Sequence, residues 1–385
     1  MRIGIITADR RAEKSYYDAS EPCFGSTTTT LLREFSKLTE HEIHILSCSK
    51  KAMLAPTIIM GTLNYHLLVV PQAGWLRTLY FGCIRKIKTK LKTIRPDVVL
   101  ALGSERYPAL AAVCSGFPNA IRVFGNMQEI ARKTKAPIGS YLWIHSILEK
   151  YVIRKTDCVI CNSGYTRNLL IKSAKRTEVI SNTIRHDFFQ PLPGSENKKN
   201  DQPHILNIGV ISDRKQQQKL LETAYELRAN GCNFDLTFIG PANKRESCVK
   251  AFFKLLNSTF NTGFVHYCEN MDVSSLIQHI DSAHALIHCP SQEAFGLVVV
   301  EASARNLQVF SFDEGGIKDI AENIPEIAVS PAGDWGHLKN NISSWIKDGY
   351  PQPASACAKV RKRYHPDNFA VDHVSVLKKT IKNKP

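Results

Sequence analysis

Two glutamates in the second half of the chain, Glu293 and Glu301, flank a segment whose pattern predicts a strand, a turn and a helix. The strand ends at Pro290, Glu293 lies on the turn, and the helix starts near Gly296. The first backbone N–H groups of a helix bind anions, and a glycine lets a phosphate approach them closely. Carboxylates accept hydrogen bonds from the neighbouring hydroxyls of a sugar. The string therefore indicates a site for a sugar joined to a diphosphate.

Each glutamate also has a simpler interpretation. Glu293 would cap the helix, and Glu301 would be a solvated charge on its surface. For either carboxylate alone the simpler interpretation is favoured. The complete string 288–302 favours the ligand site, because strand, turn, glycine and both carboxylates occur in one order.

Short apolar runs alternate with longer amphipathic stretches around this string and along most of the chain, which predicts an α/β fold of parallel sheets covered by helices. In the first half, strands are predicted at 3–7, 42–46, 66–70, 97–102, 120–124, 157–161 and 178–181. In the second half they are predicted at 205–210, 234–239, 263–267, 285–288 and 309–312.

A polar segment rich in Pro and Gly, 191–203, interrupts the alternation and predicts a linker between two doubly wound, Rossmann-like domains. We expect an N-terminal domain at 1–190 and a C-terminal domain at 204–360. We also expect a final helix within 361–385 that packs back on the N-terminal domain. Ligands of such sheets bind at the carboxyl ends of the strands, so a central cleft between the domains is the expected site.

The string 288–302 resembles the donor-site signature of the retaining glycosyltransferases of family 4, which have the two-domain GT-B fold. The two glutamates stand in the Glu-x7-Glu spacing of that signature. Similar matches in the expected order are Asn162-Ser163, Ser181-Asn182-Thr183-Ile184, Gly209 followed by Lys215, Phe238-Ile239-Gly240, and Gly315-Gly316. Each match is weak alone, and their order and spacing together are specific.

The resemblance implies an enzyme that takes a nucleotide-diphosphate sugar as co-substrate and needs no metal or other cofactor. Glu301 would hold the ribose, Glu293 would contact the donor sugar, and Lys215 would neutralise the diphosphate. The implied catalytic residues are Glu293 and Lys215. The implied donor-binding residues are Gly25, Gly209, Arg214, Lys215, Glu293, Phe295, Gly296, Leu297, Val298 and Glu301. The implied acceptor is a glycan or lipid-linked glycan of the cell surface, held by the basic N-terminal domain.

Several positions depart from the family pattern. Val210 stands where an Arg is usual after the glycine, and Gly125-Asn126 stands where the family often has His. Arg214 would replace the missing Arg if its side chain points inward. These departures leave open a second function, a scaffold that binds a nucleotide sugar or a partner without turnover.

The charge is concentrated in the first half, where residues 1–190 hold 28 Lys and Arg against 14 Asp and Glu. The chain has no recognised nucleic-acid motif, so a nucleic-acid partner is not expected. No Gly-x-Gly-x-x-Gly follows an early strand, which excludes a nicotinamide-dependent dehydrogenase.

Eleven scattered cysteines are typical of a reducing compartment. We expect a cytoplasmic protein without a signal peptide or transmembrane helix, peripheral on the inner face of the membrane if it meets one.

The segment 75–95 is the strongest candidate for a membrane contact. Apolar residues from Trp75 to Ile94 recur at helical spacing, and seven Lys and Arg lie among them without an acid. A basic amphipathic helix of this kind binds anionic membrane surfaces. The alternative is a core helix with a basic outer face.

Overall fold

The computed structural model describes residues 1–11, 16–190, 202–258 and 263–382. The chain divides into two compact units. The first runs from Met1 to Thr183 and includes the C-terminal segment from Pro366 on, and the second runs from Ile184 to His365. No helix within the described ranges is both long and apolar enough to cross a membrane.

In the part of the chain that the structure describes, the first unit is built on one sheet of eight strands. Its strands are β1 (Arg2–Ile6), β2 (Glu42–Ser49), β3 (Ile58–Ile59), β4 (Leu63–Val69), β5 (Val98–Leu102), β6 (Asn119–Val123), β7 (Cys158–Cys161) and β8 (Thr177–Val179). Its helices are α1 (Ser26–Ser36), α2 (Phe81–Ile94), α3 (Tyr107–Val113), α4 (Met127–Lys133), α5 (Tyr141–Lys155), α6 (Gly164–Leu170) and the last helix of the chain, Phe369–Lys382. The strand order is β3-β4-β2-β1-β5-β6-β7-β8, and among the strands that the structure describes here only the β3–β4 pair is antiparallel.

The described residues of the second unit form a six-stranded sheet that is parallel throughout. Its strands are β9 (His204–Ile208), β10 (Asp235–Ile239), β11 (Val265–Cys268), β12 (Ala285–His288), β13 (Gln308–Phe312) and β14 (Ala328–Ser330), in the order β11-β10-β9-β12-β13-β14. Its helices are α7 (Gln217–Ala229), α8 (Ser247–Leu256), α9 (Val273–Ser282), α10 (Leu297–Ala304), α11 (Gly316–Asn323), α12 (Trp335–Lys347) and α13 (Ala356–Tyr364), so the helix at Phe369–Lys382 is α14.

The central strands are buried because helices cover both faces of each sheet. Every residue of β5 and β7 is buried. In the first unit, α1 and α14 contribute to the core on one face, and α2, α3 and α5 contribute to the core on the other. The prediction of two parallel-sheet α/β domains is confirmed, and each predicted strand overlaps an observed one.

The division between the units falls between Thr183 and Ile184 and not after residue 190. Ile184, Phe188 and Phe189 are buried in a core cluster of the second unit, where the Arg361 guanidinium donates to the Phe189 carbonyl at 3.0 Å. Apolar burial therefore assigns these residues to the second sheet. Most of the predicted linker, 191–201, lies outside the described residues.

The C-terminal segment is divided as well. Residues 361–364, predicted with the last helix, belong to α13 of the second unit. Helix α14 packs on the first unit, against α1 and strands β5 and β6. Its buried His373 accepts a hydrogen bond from the equally buried Arg122 of β6 at 2.9 Å.

Helix α2 begins at Phe81, later than the predicted start at Trp75. Residues 72–80 form two short 3-10 turns and a bend in which Leu79 and Tyr80 have positive φ. The apolar stripe of the helix is buried against the sheet through Cys83, Ile87, Leu91 and Ile94. The stripe itself is therefore not a membrane-binding face, and the core-helix interpretation is correct for it.

Candidate active site

The site residues of the second unit lie at the carboxyl ends of two neighbouring strands. Strands β9 and β12 pair in parallel, with Leu206 opposite Leu286. Because parallel strands end at the same edge of a sheet, the loop after β9 and the loop after β12 meet there. The first loop carries Lys215, and the second carries Glu293.

The loop after β9 is held in place by the first residue of α7. Gly209 follows β9 directly, and its N–H donates to the Ile239 carbonyl at 2.8 Å. The buried Gln217 amide donates to the Val210 carbonyl at 3.0 Å and accepts from the Ser212 N–H at 3.2 Å. Between these anchors, Asp213–Lys215 form a single 3-10 turn.

This 3-10 turn is bonded to the loop after β12. The Ser291 N–H donates to the Arg214 carbonyl at 2.9 Å, and the Arg214 guanidinium donates to the Gln292 carbonyl at 3.1 Å. The Arg214 side chain thus holds the two loops together. The 3-10 turn therefore places Lys215 next to the segment 288–302, which we call the signature segment.

The signature segment depends on two glycines. Gly296 precedes α10 with φ +104°, a conformation that L side chains rarely adopt. At Gly316 a Cβ atom would lie 2.3 Å from the Ala294 carbonyl oxygen. The Gly316 N–H donates to the Glu293 carbonyl at 3.0 Å. Only a glycine permits this approach, so the turn at Gly315-Gly316 fixes the backbone that carries Glu293.

Three side chains converge on this loop. The Lys215 Nζ lies 2.5 Å from the Glu293 Oε2, and the His288 Nε2 lies 3.1 Å from the same oxygen. The Lys215 Nζ and His288 Nε2 are 3.3 Å apart. The side chains of Lys215 and Glu293 are 16% and 13% exposed, and that of His288 is 2% exposed. We call these three residues the Lys-Glu-His cluster.

The protonation states follow from burial and charge. Burial alone would raise the pKa of Glu293, but the Lys215 charge and the His288 hydrogen bond outweigh it and hold the pKa well below its usual range. Burial lowers the pKa of Lys215, and the charge of Glu293 opposes that effect. Burial and the Lys215 charge lower the pKa of His288 to about 4. At neutral pH the cluster therefore holds an ammonium, a carboxylate and a neutral imidazole.

Glu301 has a different environment. It lies one turn into α10, half-buried, and burial raises its pKa to about 7 while the charge of Arg185 opposes the rise. The Arg185 Nε also donates to Asp187 at 2.8 Å. The structure therefore brings Lys215 and Glu293 together and gives Glu301 a distinct charge partner.

The helix-cap interpretation of Glu293 is wrong. The N-cap of α10 is Gly296, and no side chain of the described residues caps it. Leu297 and Val298 start α10, where the first amide groups of a helix have no carbonyl partner within the helix. Phe295 is 3% exposed and packs edge to face on Tyr364, so its side chain supports the core and does not form part of a binding surface.

The remaining positions singled out in the sequence have the following local environments. Gly25 is in the first unit, where it precedes α1 with φ −67°, so its backbone conformation does not require glycine. Val210 is 53% exposed and cannot replace the charge of an Arg. Asn126, beside Gly125, caps α4 by accepting from the Glu129 N–H at 2.8 Å.

His288 is the residue that the sequence analysis missed. It ends the buried strand β12, where a histidine is usually a satisfied core residue. The available signal was its position five residues before Glu293, close enough for both side chains to lie at the same edge of the sheet.

Comparison with known proteins matches both halves of the chain to glycosyltransferase families. The model of the Glycosyltransferase Family 4 matches residues 25–188, and that of the Glycosyl transferases group 1 matches residues 189–363. A curated relative, the phosphatidylinositol N-acetylglucosaminyltransferase gpi3 subunit of Schizosaccharomyces pombe, is 26% identical over 211 residues. That match covers 52% of this chain and 43% of the relative, so the chain spans less than half of its length.

Solved structures share the fold at low identity. Sucrose-phosphate synthase from Thermosynechococcus elongatus matches at 16% identity and TM-score 0.75 over 100% of both chains. A glycosyltransferase from Rickettsia africae matches at 15% and 0.73, over 100% of this chain and 99% of the other. Anabaena HepE in complex with UDP-glucose matches at 14% and 0.71, over 98% and 100%. The two family models together span residues 25–363, and the chain belongs to the family 4 glycosyltransferases of the GT-B fold.

Proposed function

We propose that this glycosyltransferase moves a sugar from a nucleotide-diphosphate donor, bound by the second unit, to an acceptor bound by the first. The acceptor class we propose is a glycan or lipid-linked glycan of the cell surface. Two comparisons support this proposal: Anabaena HepE was solved with UDP-glucose, and the Schizosaccharomyces pombe relative is named for transfer to phosphatidylinositol.

The observation that carries the donor assignment is the Lys-Glu-His cluster beside the start of α10. A diphosphate bears more negative charge than one carboxylate, so it competes with Glu293 for the Lys215 ammonium. The amides of Gly296, Leu297 and Val298 would supply further donors to it. Negative charge grows on the leaving phosphate as the sugar is released, and a preorganised ammonium stabilises that charge. A metal ion is then not needed for charge neutralisation.

The two glutamates would contact the sugars. When Lys215 turns to the diphosphate, the His288 N–H remains as a donor to Glu293, which keeps the carboxylate oriented toward the donor sugar. Glu301, with its raised pKa, would accept hydrogen bonds from the ribose hydroxyls. Arg214 donates one guanidinium N–H to the Gln292 carbonyl, and its other N–H groups would be able to reach the diphosphate.

We propose that the reaction retains the anomeric configuration. The bond between the sugar C1 and the phosphate oxygen breaks, and a bond from the acceptor oxygen forms on the same face of the sugar. The acceptor hydroxyl proton passes to the leaving phosphate oxygen. Glu293 is a poor nucleophile for a covalent intermediate, because the His288 N–H still holds its Oε2 after Lys215 has turned to the diphosphate.

The experiment is a thermal-shift screen against nucleoside diphosphates and their sugars, followed by a transfer assay with the donor that stabilises the protein most. A bound donor raises the melting temperature by mass action. Hydrogen exchange should then show protection at 291–301, and transfer to an acceptor analogue should be detected. Stabilisation with neither donor hydrolysis nor transfer would instead support a scaffold. Protection confined to the first unit would contradict the donor assignment.

A further inference from the structure

The surface of the first unit around the start of α2 exposes large apolar side chains. Leu79 and Phe81 are 54% and 65% exposed, and Ile138 and Tyr141, which precede and start α5, are 85% and 46% exposed. Single exposed apolar side chains are common on soluble proteins. Four large ones on adjoining segments are typical of a contact surface. We call these four residues the apolar tip.

The two segments of the apolar tip are joined through His145. The His145 Nε2 lies 3.0 Å from the hydroxyl of Tyr80, the residue between Leu79 and Phe81. The ring centroid of Tyr141 lies 3.9 Å from that of His145. Leu79 and Tyr80 both have positive φ, at 48° and 65°, which is unfavourable for residues with a Cβ. The buried Tyr80 anchors this bend, and the bend exposes its two neighbours.

The surface beside the apolar tip is strongly basic. From Pro71 to Pro96 the chain has no acid, and Arg85, Lys86 and Lys88 on the outer face of α2 are exposed. Among the described residues, no carboxylate forms an ion pair with these three side chains. From Ile130 to Lys155 the only acid is Glu149, which is fully buried. The exposed faces of α2 and α5 are therefore cationic and apolar, without an anionic residue.

This combination fits the headgroup region of a lipid bilayer. Unpaired lysines attract anionic phosphates, and apolar side chains at the end of a helix enter the boundary between headgroups and acyl chains. A nucleic-acid duplex would bind the exposed Lys and Arg side chains through its phosphates, but it would leave aliphatic residues such as Ile138 exposed to water. We propose that the apolar tip, together with the basic faces of α2 and α5, docks the first unit on an anionic membrane.

The test is cosedimentation of the full chain with vesicles of phosphatidylcholine alone or with about 30% phosphatidylglycerol, an anionic lipid. We expect binding to the anionic vesicles that weakens at about 0.5 M salt because of screening. Lys86→Glu with Lys88→Glu should weaken it by at least roughly 25-fold, at about fivefold per lysine charge. Leu79→Ser with Phe81→Ser should weaken binding to the same vesicles while preserving its salt dependence.

Matched controls lie on the opposite face of the same sheet, on α14. Lys378→Glu with Lys379→Glu reverses two exposed lysines there, and Val371→Ser changes an apolar residue that is 49% exposed. Both should bind as the parent does, and all variants should show the parental melting temperature.

Four outcomes would each overturn the proposal: the parent fails to sediment, it sediments equally with neutral vesicles, the α14 controls lose as much binding, or the parent binds duplex DNA more tightly than vesicles. The readout needs no donor, so it is independent of the proposed transfer reaction.

Discussion

The Nζ atom of Lys215 lies 2.5 Å from the Oε2 atom of Glu293, and neither side chain is more than 16% exposed. The two residues follow different strands and meet because β9 and β12 are neighbours. In this arrangement the ammonium proposed to bind the diphosphate neutralises the carboxylate proposed to contact the sugar. Donor binding must therefore break one ion pair to form another. This exchange lowers the net gain in binding free energy. Before the donor arrives, the Lys215–Glu293 ion pair keeps Glu293 charged and oriented.

Replacing Lys215 alone should destabilise the second unit strongly. Lys215→Met keeps a chain of similar length and leaves the Glu293 carboxylate largely buried with His288 as its hydrogen-bond donor. Removing one partner of a buried pair costs roughly 3 kcal/mol. The free energy of unfolding, measured by urea denaturation, should fall by about this amount. The double variant Lys215→Met with Glu293→Gln should regain most of it and remain inactive.

Lys219→Met is the matched control for this comparison. Lys219 pairs with Glu222 at 3.1 Å, with side chains 48% and 36% exposed. Exposed pairs contribute roughly 0–1 kcal/mol. A Lys215→Met variant that loses no more stability than Lys219→Met would show that the Lys215–Glu293 pair is not held as a buried pair in solution.

The strands could be predicted because buried parallel strands are continuous apolar runs, as in 98–102 and 158–161. Two short edge strands, β3 and β14, have too few residues to give a pattern. Periodicity also predicted an amphipathic helix at α2 correctly. It could not decide which surface covers the apolar stripe, since a sheet and a membrane require the same spacing.

The candidate site was predicted in part. The glutamates and Gly296 were identified from the string 288–302, and Lys215 was identified from the match of Gly209 and Lys215 to the family 4 pattern. The contact between Lys215 and Glu293 joins residues 78 positions apart, and it depends on strand order, which local pattern does not contain. The role of His288 was missed for a different reason: it lies only five residues before Glu293, but a histidine that ends an apolar strand is usually a core residue.

Glu293→Gln should chiefly lower kcat. The amide keeps the size of the side chain and removes the charge that contacts the sugar as its bond breaks. The loss should be roughly 10²-fold, comparable to the removal of one preorganised electrostatic contact. Steady-state kinetics at saturating donor measure it, with circular dichroism as a check of folding. Glu322→Gln, at an exposed position on α11, is the control and should keep parental turnover. Near-parental kcat in Glu293→Gln would exclude the catalytic role.

His288 should act on turnover through the orientation of Glu293. His288→Leu removes the donor to Oε2, and a lost hydrogen bond to a charged group corresponds to roughly a tenfold decrease in kcat. His288→Gln supplies an N–H donor at a similar distance along the side chain and should restore part of the rate. The KM for donor should change little in both. Equal kinetics of the Leu and Gln variants would indicate that His288 serves packing alone.

Glu301 should make both donor affinity and stability depend on pH. Burial raises its pKa to about 7, so its contribution to stability is fully present below the unfolded pKa near 4.5 and is lost as pH rises through about 7. His288, with its pKa lowered to about 4, has the opposite sign: its contribution is present above about 6.5 and is lost as pH falls through 4. The two slopes partly cancel in the parent protein. Glu301→Gln removes one of them, so its unfolding free energy should rise relative to the parent between pH 5 and 8, by about 1–3 kcal/mol.

The same variant, Glu301→Gln, should raise the donor KM with little effect on kcat, because the ribose contact exists before and during transfer. Denaturation at a series of pH values and steady-state kinetics above pH 7.5 check the two parts separately. A parallel pH profile for parent and variant would show that Glu301 titrates normally, and a kcat loss without a KM change would place it at the reacting bond and not at the ribose.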